Sequence, residues 1–394
     1  MGKIKVFALW TAPAPYSVAW LSRLAQQTQI DLLVAYQHSV NLGHAYWNLH
    51  LPYRNISFNS SGILKGLLTV PKILSVLSRF RPDVVFFGNP VWPIISKMLW
   101  LWCLLTGTPY TFLGDGNAKK PMSWWKHLRN KVFITPFIRF AQRVVVIGTN
   151  NQSLYRRYGS IPQKEVFAPY SVDTDFWLVQ AETTLKRRDE IRQRLGVNDE
   201  TTVFLYVGKL EDVKGVDTLI EASALLQKRS GKKFKLLLVG TGSREAELKD
   251  LARNREIEQI VNFCGKKQQN ELADYYASAD WFVLPSRTEA WGLVINEALC
   301  FGLPVIASDA VGAVEDLVKD GVNGFVFIKD EVESLLEALE KAINTEGEQR
   351  KRMREEARKV IDQWNIKSMV GGLLQAVTEC CNFARRHPKE KSDT

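Results

Sequence analysis

The feature that most constrains the fold of this chain is an alternation of short apolar runs with longer segments of mixed composition. The runs are rich in β-branched and aromatic residues, as the buried strands of parallel sheets are. They occur at Ile4–Trp10, Asp31–Tyr36, Asp83–Gly88, Tyr110–Gly114, Arg143–Gly148, Val203–Val207, Lys235–Val239, Ile260–Cys264, Trp281–Pro285, Val305–Ser308 and Phe325–Phe327. Strand, helix and strand in repeated order form βαβ units, so the predicted fold class is α/β with doubly wound, Rossmann-like domains.

Two such domains are expected because 394 residues exceed what a single hydrophobic core usually fills. We predict a first domain over residues 1–178 and a second over residues 179–365, with the charged segment Val179–Arg194 as the linker. Residues 366–394 are predicted to be a helix and a tail that cross back to the first domain. Ligands of parallel sheets bind beyond the carboxyl ends of the strands, so two facing sheets would enclose a central cleft.

Cysteine usage and hydropathy argue against several other classes of protein. The five cysteines form no CxxC pair and lie near no histidine cluster, so neither structural zinc nor a disulfide framework is expected. The longest apolar candidate for a membrane span, Val91–Leu105, is short and is interrupted by Pro93 and Lys97. The amino terminus reads better as a buried strand than as a signal peptide. We therefore expect a cytoplasmic protein.

A first group of candidate binding residues follows the strand predicted at Val203–Val207. In "LYVGKLEDVKG", Gly208 permits a turn, and Lys209 and Lys214 follow before the next helix. Two cations at a strand-to-helix turn suit a diphosphate, whose charge they would neutralise. Taken alone, the same pair is more simply read as solvated loop lysines.

A second group lies in "LLVGTGSREAEL", which resembles a dinucleotide-binding fingerprint but has Glu245 in place of the third glycine. A lone GxG gives only weak support to an NAD enzyme. Gly240 and Gly242 would equally suit a loop that needs room beside another ligand.

The third group is a pair of glutamates eight positions apart, Glu289 and Glu297. Glu289 is predicted to lie in the loop after a strand, and Glu297 one turn into a helix that begins near Leu293. Glutamates near a helix start are often solvated residues favoured by the helix dipole. However, the amides at Gly292 and Leu293 would be free for phosphate or sugar oxygens. Carboxylates accept paired hydrogen bonds from vicinal hydroxyls, so one glutamate can hold a donor sugar and the other a ribose.

Four segments carry a resemblance to a known family: "APYSVDTDFW", "VGKLEDVKGVDTLIEA", "LLLVGTGSREAEL" and "VNFCGKKQQNELADYYASADWFVLPSRTEAWGLVINEALCFGLPVIASDAVGAVEDLVKDGVNGFVF". They resemble the retaining glycosyltransferases of the two-Rossmann GT-B fold, specifically the large group called family 4. The resemblance is dense over roughly residues 165–330 and looser elsewhere. Its most specific part is the glutamate pair followed by G-x-P-V-I-A-S-D.

The resemblance implies a role for each candidate residue. Lys209 and Lys214 would face the donor diphosphate, although Lys209 stands where the family more often has arginine. Glu289 would contact the donor sugar and Glu297 the ribose. Backbone groups would complete the nucleotide-sugar site at Gly208, Gly240, Gly242, Ala290, Trp291, Gly292 and Leu293.

Two departures from the family pattern lie in the first domain. The family commonly has a glycine pair after the first strand, where this chain has "TAPAPYS", so that Thr11–Tyr16 must serve differently. The family also often has a histidine after the strand that ends near Gly114, where this chain has Asp115. Asp115 is therefore a candidate catalytic residue near the reacting carbon, or alternatively a turn residue beside Gly116.

The resemblance implies neither a metal ion nor a cofactor, since the nucleotide sugar is a substrate. Lys209 and Lys214 would supply the positive charge at the diphosphate. Asp173 and Asp175 in "VDTDF" look like a metal-binding Asp-x-Asp pair, but they are better read as turn residues at the domain junction.

Charge is distributed unequally along the chain. Residues 1–178 carry 19 Lys+Arg against 6 Asp+Glu, whereas residues 179–394 carry 33 against 36. Tryptophans interleave with basic residues in Ala118–Phe133 and recur in Val91–Leu105. This composition suits the headgroup zone of an anionic membrane. A core helix with a solvated basic face would show it as well.

Together these patterns predict a retaining hexosyltransferase that moves a sugar from a UDP- or GDP-sugar to a hydroxyl. The expected acceptor is a lipid-linked or other glycan of cell-surface polysaccharide, lipopolysaccharide or glycolipid synthesis, reached by peripheral contact at the inner face of the membrane. Two alternatives stay open: a sugar-nucleotide epimerase of the same fold, and a protein that binds nucleic acid through its basic half. The chain contains no nucleic-acid-binding motif, so nucleic acid is not an expected partner.

Overall fold

The structure, a computed structural model, describes residues 2–38, 50–58, 63–88, 94–119 and 123–386. The chain divides into two compact units. The first unit consists of Met1–Gly116, Pro121–Asp173 and Ile366–Thr394, and the second unit consists of Asn117–Lys120 and Thr174–Asn365. Each unit is built on one parallel sheet, which confirms the predicted α/β fold with two Rossmann-like domains.

The first unit contains the strands β1 (Ile4–Trp10), β2 (Ile30–Tyr36), β3 (Arg54–Ser57), β4 (Val84–Gly88), β5 (Tyr110–Leu113), β6 (Arg143–Val146) and β7 (Glu165–Phe167). Its helices before the second unit are α1 (Pro15–Ala25), α2 (Ile63–Phe80), α3 (Ile94–Thr106), α4 (Trp124–Phe140) and α5 (Thr149–Arg157). Among the described residues the strand order is β3-β2-β1-β4-β5-β6-β7, and the pairs are parallel. The order reverses between β1 and β4, as in doubly wound sheets.

The second unit contains the strands β8 (Thr202–Val207), β9 (Phe234–Val239), β10 (Val261–Gly265), β11 (Trp281–Leu284), β12 (Val305–Ser308) and β13 (Gly324–Phe327). Its helices are α6 (Thr174–Leu185), α7 (Arg188–Arg194), α8 (Val216–Arg229), α9 (Glu245–Asn254), α10 (Gln269–Ser278), α11 (Leu293–Cys300), α12 (Val314–Leu317), α13 (Val332–Asn344) and α14 (Gly347–Ile361). The strand order is β10-β9-β8-β11-β12-β13. The order reverses between β8 and β11, which is where such sheets bind ligands.

A last helix, α15 (Ile366–Arg386), belongs to the first unit and packs on its strands, whereas α14 packs on α11 in the second unit. Arg143, at the start of β6, donates from Nε to Oε2 of Glu379 on α15 at 2.5 Å. A Cβ added at Gly372 would lie 2.4 Å from the carbonyl oxygen of Phe167, so α15 approaches β7 too closely for a larger residue.

The prediction of a linker at Val179–Arg194 is wrong. Most of this segment lies in α6 and α7, which are helices of the second unit. Arg192 is buried, and it donates to the Asp280 carboxylate at 3.2 Å and to the carbonyl of Ser278 at 2.9 Å. Part of the charge of the segment therefore lies in a buried ion pair with Asp280, whereas Lys186, Arg187 and Arg194 are exposed.

One face of the first sheet is covered by α2, α3 and α4. Leu77 of α2, Leu99 of α3 and Phe137 of α4 belong to one buried apolar cluster with the strands. The burial of these side chains holds the three helices side by side on the sheet. No helix in the described part of the chain is both long enough and apolar enough to cross a bilayer.

Candidate active site

Lys214 and Glu289 meet at the edge of the second sheet because the loops that carry them bond to each other. Strands β8 and β11 are parallel neighbours, so the loops that follow them leave the sheet side by side. The amide of Arg287 donates to the carbonyl of Val213 at 2.9 Å, which joins the two loops. The Lys214 ammonium forms an ion pair with the Glu289 carboxylate, and the two side chains are only 22% and 16% exposed. Two residues predicted for the site are thus brought into direct contact.

Glycines let these loops pack backbone against backbone. A Cβ added at Gly215 would lie 2.2 Å from the carbonyl oxygen of Pro285, and Gly215 has φ +62°. Gly292, which precedes α11, has φ +98°. Both φ values lie in the left-handed region, where a side chain is strained.

Helix α11 begins at Leu293, as predicted, beside the loop that carries Glu289. The first amides of a helix lack carbonyl partners within it and carry partial positive charge. The indole of Trp291 is buried, and its Nε1 donates to Oδ1 of Asn296 at 3.0 Å. The Trp291 side chain therefore packs inside the unit and stabilises the start of α11. Only the backbone of Trp291 is placed to contact a ligand.

Glu297 lies one turn into α11, and its Oε2 accepts a hydrogen bond of 2.7 Å from the Tyr276 hydroxyl. The Tyr276 ring is buried between Phe301 and Trp177, with ring centroids 5.3 and 5.6 Å away. Burial raises the pKa of the Glu297 carboxyl to about 7, and the Tyr276 hydrogen bond opposes this only in part. Such a carboxyl exchanges its proton near neutral pH, a property that the sequence pattern does not reveal.

Lys209 follows β8 with an exposed side chain, while its carbonyl accepts a hydrogen bond of 2.7 Å from the buried Tyr206 hydroxyl. A Cβ added at Gly240 would lie 1.8 Å from the carbonyl oxygen of Gly208. One added at Gly242 would lie 2.2 Å from another carbonyl oxygen of the same loop. Loop packing is a sufficient reason for both glycines, so their contact with a nucleotide stays a prediction.

An ion-pair network that sequence reasoning missed holds these loops together. Asp217, on α8, accepts hydrogen bonds from Arg287 at 2.9 Å and from Arg244 at 3.1 Å. Arg287 also donates to the carbonyl of Asp212 at 2.6 Å and pairs with Asp330 at 2.5 Å. Burial would raise the pKa of the Asp217 carboxyl, but the two arginines hold it below its usual value. No local motif signals this network, because its members come from separate loops.

A second missed feature is the segment Asn117–Lys120, which belongs to the second unit although it precedes α4 in the chain. Asn117 is buried, and its Nδ2 donates to the carbonyl oxygen of Glu289 at 2.6 Å. The Lys119 ammonium pairs with the Glu315 carboxylate at 2.9 Å. The Asn117 hydrogen bond fixes the backbone from which the Glu289 side chain extends.

Asp115 lies in the first unit, in a small cavity at the carboxyl ends of β1 and β5. The cavity has a volume of about 80 Å³, and the rings of Tyr16, Trp20 and Tyr170 pack together in its wall at 5.0 to 6.1 Å. Burial and the charge of Asp115 raise the pKa of the Tyr16 hydroxyl to about 12, so Tyr16 stays protonated. The cavity therefore offers one carboxylate beside aromatic faces.

The segment that replaces the family's glycine pair lines the same cavity, through Thr11, Ala12 and Tyr16. Pro15 is the first residue of α1, a position where the missing amide of proline removes no helical hydrogen bond. This segment therefore ends β1 and starts α1 without bringing glycine backbone to the site.

Asp173 and Asp175 have separate structural roles. Asp173 pairs with Arg23 at 3.1 Å in the first unit. Asp175 lies in the first turn of α6, where the helix dipole favours an acid, so the turn prediction is wrong for this residue. Among the described residues, no three His, Cys, Asp or Glu side chains cluster as metal ligands would.

The fold and the site are typical of α/β proteins whose parallel sheets bind phosphorylated ligands at a helix start. The second unit of this chain is such a domain, with an ion-paired lysine and glutamate beside the helix start. Residues 187–360, a little under half of the chain, match the family model described as glycosyl transferases group 1. The second unit thus carries the segment typical of this family.

Individual relatives and solved structures agree with the family match. The D-inositol 3-phosphate glycosyltransferase of Corynebacterium aurimucosum is 30% identical over 208 residues, which is 51% of this chain and 48% of that protein. The chain spans about half the length of the curated relatives it matches. A glycosyltransferase from Rickettsia africae ESF-5 shares the fold with a TM-score of 0.77 at 18% identity, over 96% of this chain and 99% of its own.

A further structure, Anabaena HepE in complex with UDP and glucose, shares the fold with a TM-score of 0.72 at 19% identity, over 95% of this chain and 99% of its own. These neighbours place the two Rossmann-like units in the GT-B fold, as predicted.

Proposed function

We propose that this chain is a retaining glycosyltransferase of family 4. It moves a hexose from a nucleotide diphosphate sugar, with a uridine or guanosine base, to a hydroxyl of an acceptor. The group 1 match over residues 187–360 and the fold shared with solved glycosyltransferases support the reaction class. The geometry of the second unit supports the donor.

The observation that carries the proposal is the pairing of Lys214 with Glu289 beside the amino end of α11. A nucleotide sugar presents a diphosphate and a hydroxylated ring, and this pair offers one group for each. The ammonium and the helix amides suit the diphosphate, and the carboxylate suits the sugar hydroxyls. A bound donor would therefore give each residue a new partner: the diphosphate for Lys214 and the sugar hydroxyls for Glu289.

Lys209 and Glu297 extend the proposed site. Lys209 would add charge at the diphosphate, and Glu297 would accept hydrogen bonds from the ribose hydroxyls. Hydrogen bonds to a carboxylate favour its ionised form. Because the pKa of Glu297 is about 7, donor binding is expected to release a proton near neutral pH.

Catalysis is proposed to rest on electrostatic stabilisation of the leaving diphosphate by Lys214 and the amides of α11. Removing one such positioned donor typically lowers kcat by about 10²- to 10³-fold. The acceptor hydroxyl would arrive on the face from which the diphosphate leaves, which retains the anomeric configuration. Because the chain supplies the cations, the proposed reaction needs neither a divalent metal nor a cofactor.

The acceptor is proposed to use the first unit. The Asp115 carboxylate would contact the acceptor hydroxyl, and the rings of Tyr16 and Tyr170 would pack against the apolar face of a sugar. The excess of basic residues in residues 1–178 supports a lipid-linked acceptor of cell-surface polysaccharide, lipopolysaccharide or glycolipid synthesis. The protein would then work at the inner face of the membrane, with no nucleic acid as partner.

A donor screen by thermal shift tests the proposal. One or more UDP- or GDP-sugars should raise the melting temperature of the wild type, because a ligand that binds only the folded state stabilises it. The same donor should lose most of this effect with Lys214→Ala and with Glu289→Ala. Lys186→Ala, which alters a lysine that is 72% exposed on the same unit, is the matched control and should respond as the wild type does.

The chemistry is tested with the donor that passes this screen. Transfer should require an acceptor, persist in EDTA and give a product of unchanged anomeric configuration by NMR. Isomerised donor without any acceptor would favour the epimerase alternative instead. A donor whose stabilisation survives both substitutions would show that it binds elsewhere.

A further inference from the structure

Three neighbouring helices of the first unit carry basic residues but no acidic ones. In sequence, α2, α3 and α4 together carry eight Lys or Arg and no Asp or Glu. Among the described residues, the exposed basic side chains include Lys65 and Lys72 on α2, and Arg129 and Lys131 on α4. Surface helices normally mix both signs, because opposite charges three or four residues apart stabilise them. The lack of acids therefore calls for an anionic partner.

The same helices expose large apolar side chains. Trp124 and Trp125 at the start of α4 are 63% and 64% exposed, and their rings stack at 3.6 Å. Leu128 and Val132 follow Trp124 at intervals of four residues, so the three lie on one side of α4. The other exposed apolar residues of the three helices include Leu67, Leu68, Leu74, Leu101, Leu105, Phe133 and Phe140. An apolar area of this kind marks an interaction surface.

The helices form one continuous surface. Their buried sides belong to a single apolar cluster on the same face of the first sheet. Between α3 and α4, the Lys97 ammonium lies 4.7 Å from the centre of the Phe133 ring, and the rings of Trp100 and Phe137 lie 5.8 Å apart. We name the outer side of α2, α3 and α4 the basic-aromatic face.

We propose that the basic-aromatic face docks on a lipid bilayer that contains anionic headgroups. Tryptophan rings favour the headgroup level of a bilayer, and exposed leucines can enter the acyl boundary below it. Lysine and arginine at the same level bind anionic phosphates. The use of this face to reach a lipid-linked acceptor rests on the proposed function, but the face itself does not.

Two other occupants fit the observations less well. Nucleic acid would satisfy the cations, but phosphate contacts do not require stacked, exposed tryptophans or a row of exposed leucines. A second copy of the same face would bring cations against cations, without any acid on the three helices to offset them. A bilayer matches both the charge and the apolar area.

Vesicle flotation of the full chain tests the proposal. The protein should float with vesicles of phosphatidylcholine and phosphatidylglycerol at low salt, and much less with phosphatidylcholine alone. Arg129→Glu with Lys131→Glu should weaken binding to the anionic vesicles by at least about 25-fold, since each cation near such a surface contributes about fivefold and the glutamates add repulsion. Trp124→Ser with Trp125→Ser should weaken binding even when the anionic lipid content is raised. Lys186→Glu with Lys228→Glu on the second unit is the matched control and should float as the wild type does.

The outcomes separate this proposal from the proposed function. All variants should keep the thermal shift of the wild type with donor, which shows that they are folded whatever the lipid result. Failure of the wild type to float would overturn the docking face and leave the donor site untouched. Equal loss with the control pair would also overturn it. Flotation that stops when a short duplex DNA is added at low salt, with DNA binding that the tryptophan variant retains, would assign the face to nucleic acid instead.

Discussion

The two sheets of this protein share the same doubly wound topology but carry different side chains at their carboxyl edges. At the carboxyl edge of the second sheet, Lys214 and Glu289 form an ion pair, and Asp217 is held between two arginines. At the carboxyl edge of the first sheet, Asp115 lies in a cavity with an aromatic wall. Topology thus decides where each site forms, while the loop residues decide what it can bind.

The units also differ in their use of charge. In the second unit, Arg192 is buried against Asp280, and Arg244 and Arg287 converge on Asp217. In the first unit, three neighbouring helices carry cations without any acid among them. Charge that is paired inside a unit stabilises its loops, whereas charge without acidic neighbours attracts a partner. This difference separates the proposed donor site from the proposed docking face.

The largest expected effect concerns Glu297, whose half-buried carboxyl ionises near neutral pH. Because its pKa in the folded protein is about 7 against a usual 4.5, ionisation of the folded state costs up to about 3 kcal/mol. Below pH 4.5 Glu297 is protonated in both states, so the free energy of unfolding carries no such cost. The free energy of unfolding then falls as the pH rises towards 7, because the unfolded state ionises first. Glu297→Gln removes the titration. The variant should match the wild type near pH 4 and be more stable by up to about 3 kcal/mol at pH 8.

Denaturant unfolding of the two proteins at both pH values measures this difference. Glu258→Gln, at an exposed glutamate of the same unit, is the matched control and should show no such pH dependence. A stability difference between Glu297→Gln and the wild type that stays constant from pH 4 to pH 8 would contradict the buried ionisation.

The next effect concerns the arginine network. Arg287→Ala leaves the half-buried Asp217 carboxylate with fewer donors, which should cost about 2 kcal/mol at neutral pH. The network lowers the pKa of the Asp217 carboxyl in the folded protein. Its contribution to the free energy of unfolding is therefore present above the pKa that Asp217 has in the unfolded chain, and it is lost as the pH falls through the pKa of the folded state. The cost of Arg287→Ala should therefore shrink in acid. Arg253→Ala, at an arginine 69% exposed, should cost at most about 0.5 kcal/mol in the same unfolding assay.

The fold was predictable from sequence wherever strands are apolar and buried. Each of the eleven predicted runs is a strand in the structure, with ends shifted by no more than two residues. The strands β3 and β7 are absent from that prediction, because they lie at the sheet edges and are short. The residues of β3, "RNIS", have no buried member, so no hydrophobic pattern marks them. The charged helix α7 was missed for the opposite reason: its many charges are typical of an exposed segment, yet Arg192 is buried in an ion pair with Asp280.

The candidate site was predictable where chemistry is local in the chain. Glu289, Gly292 and Leu293 lie in one short stretch, and the helix start between the two glutamates follows from that stretch alone. Asn117 supports the same loop from a position 172 residues away, with no local motif to indicate it. Hydrogen bonds between distant segments depend on the finished fold, so a single sequence does not reveal them.

A third prediction addresses the aromatic edge of the first sheet. If Asp115 contacts the acceptor hydroxyl, Asp115→Asn should lower kcat about 10- to 100-fold, because the charge that assists proton transfer is lost. The thermal shift with donor should stay as in the wild type, since the proposed donor site lies in the second unit. Asp31→Asn, at a surface aspartate paired with Arg54, is the control and should keep full activity. Loss of donor binding in Asp115→Asn would break the division of roles between the two edges.

The smallest expected effect is at Lys209, the exposed cation at the edge of the second sheet. Lys209→Ala should raise the KM for donor by roughly three- to tenfold, because a solvated charge contributes about 1 kcal/mol or a little more. Lys209→Arg should restore the KM or lower it further, since a guanidinium binds phosphate through two parallel hydrogen bonds. Initial rates at varied donor concentration give both values. If alanine and arginine behave alike, the diphosphate is held by Lys214 and the helix amides alone. The donor would then be held by the half-buried pair of Lys214 and Glu289, and Lys209 would be an ordinary loop lysine.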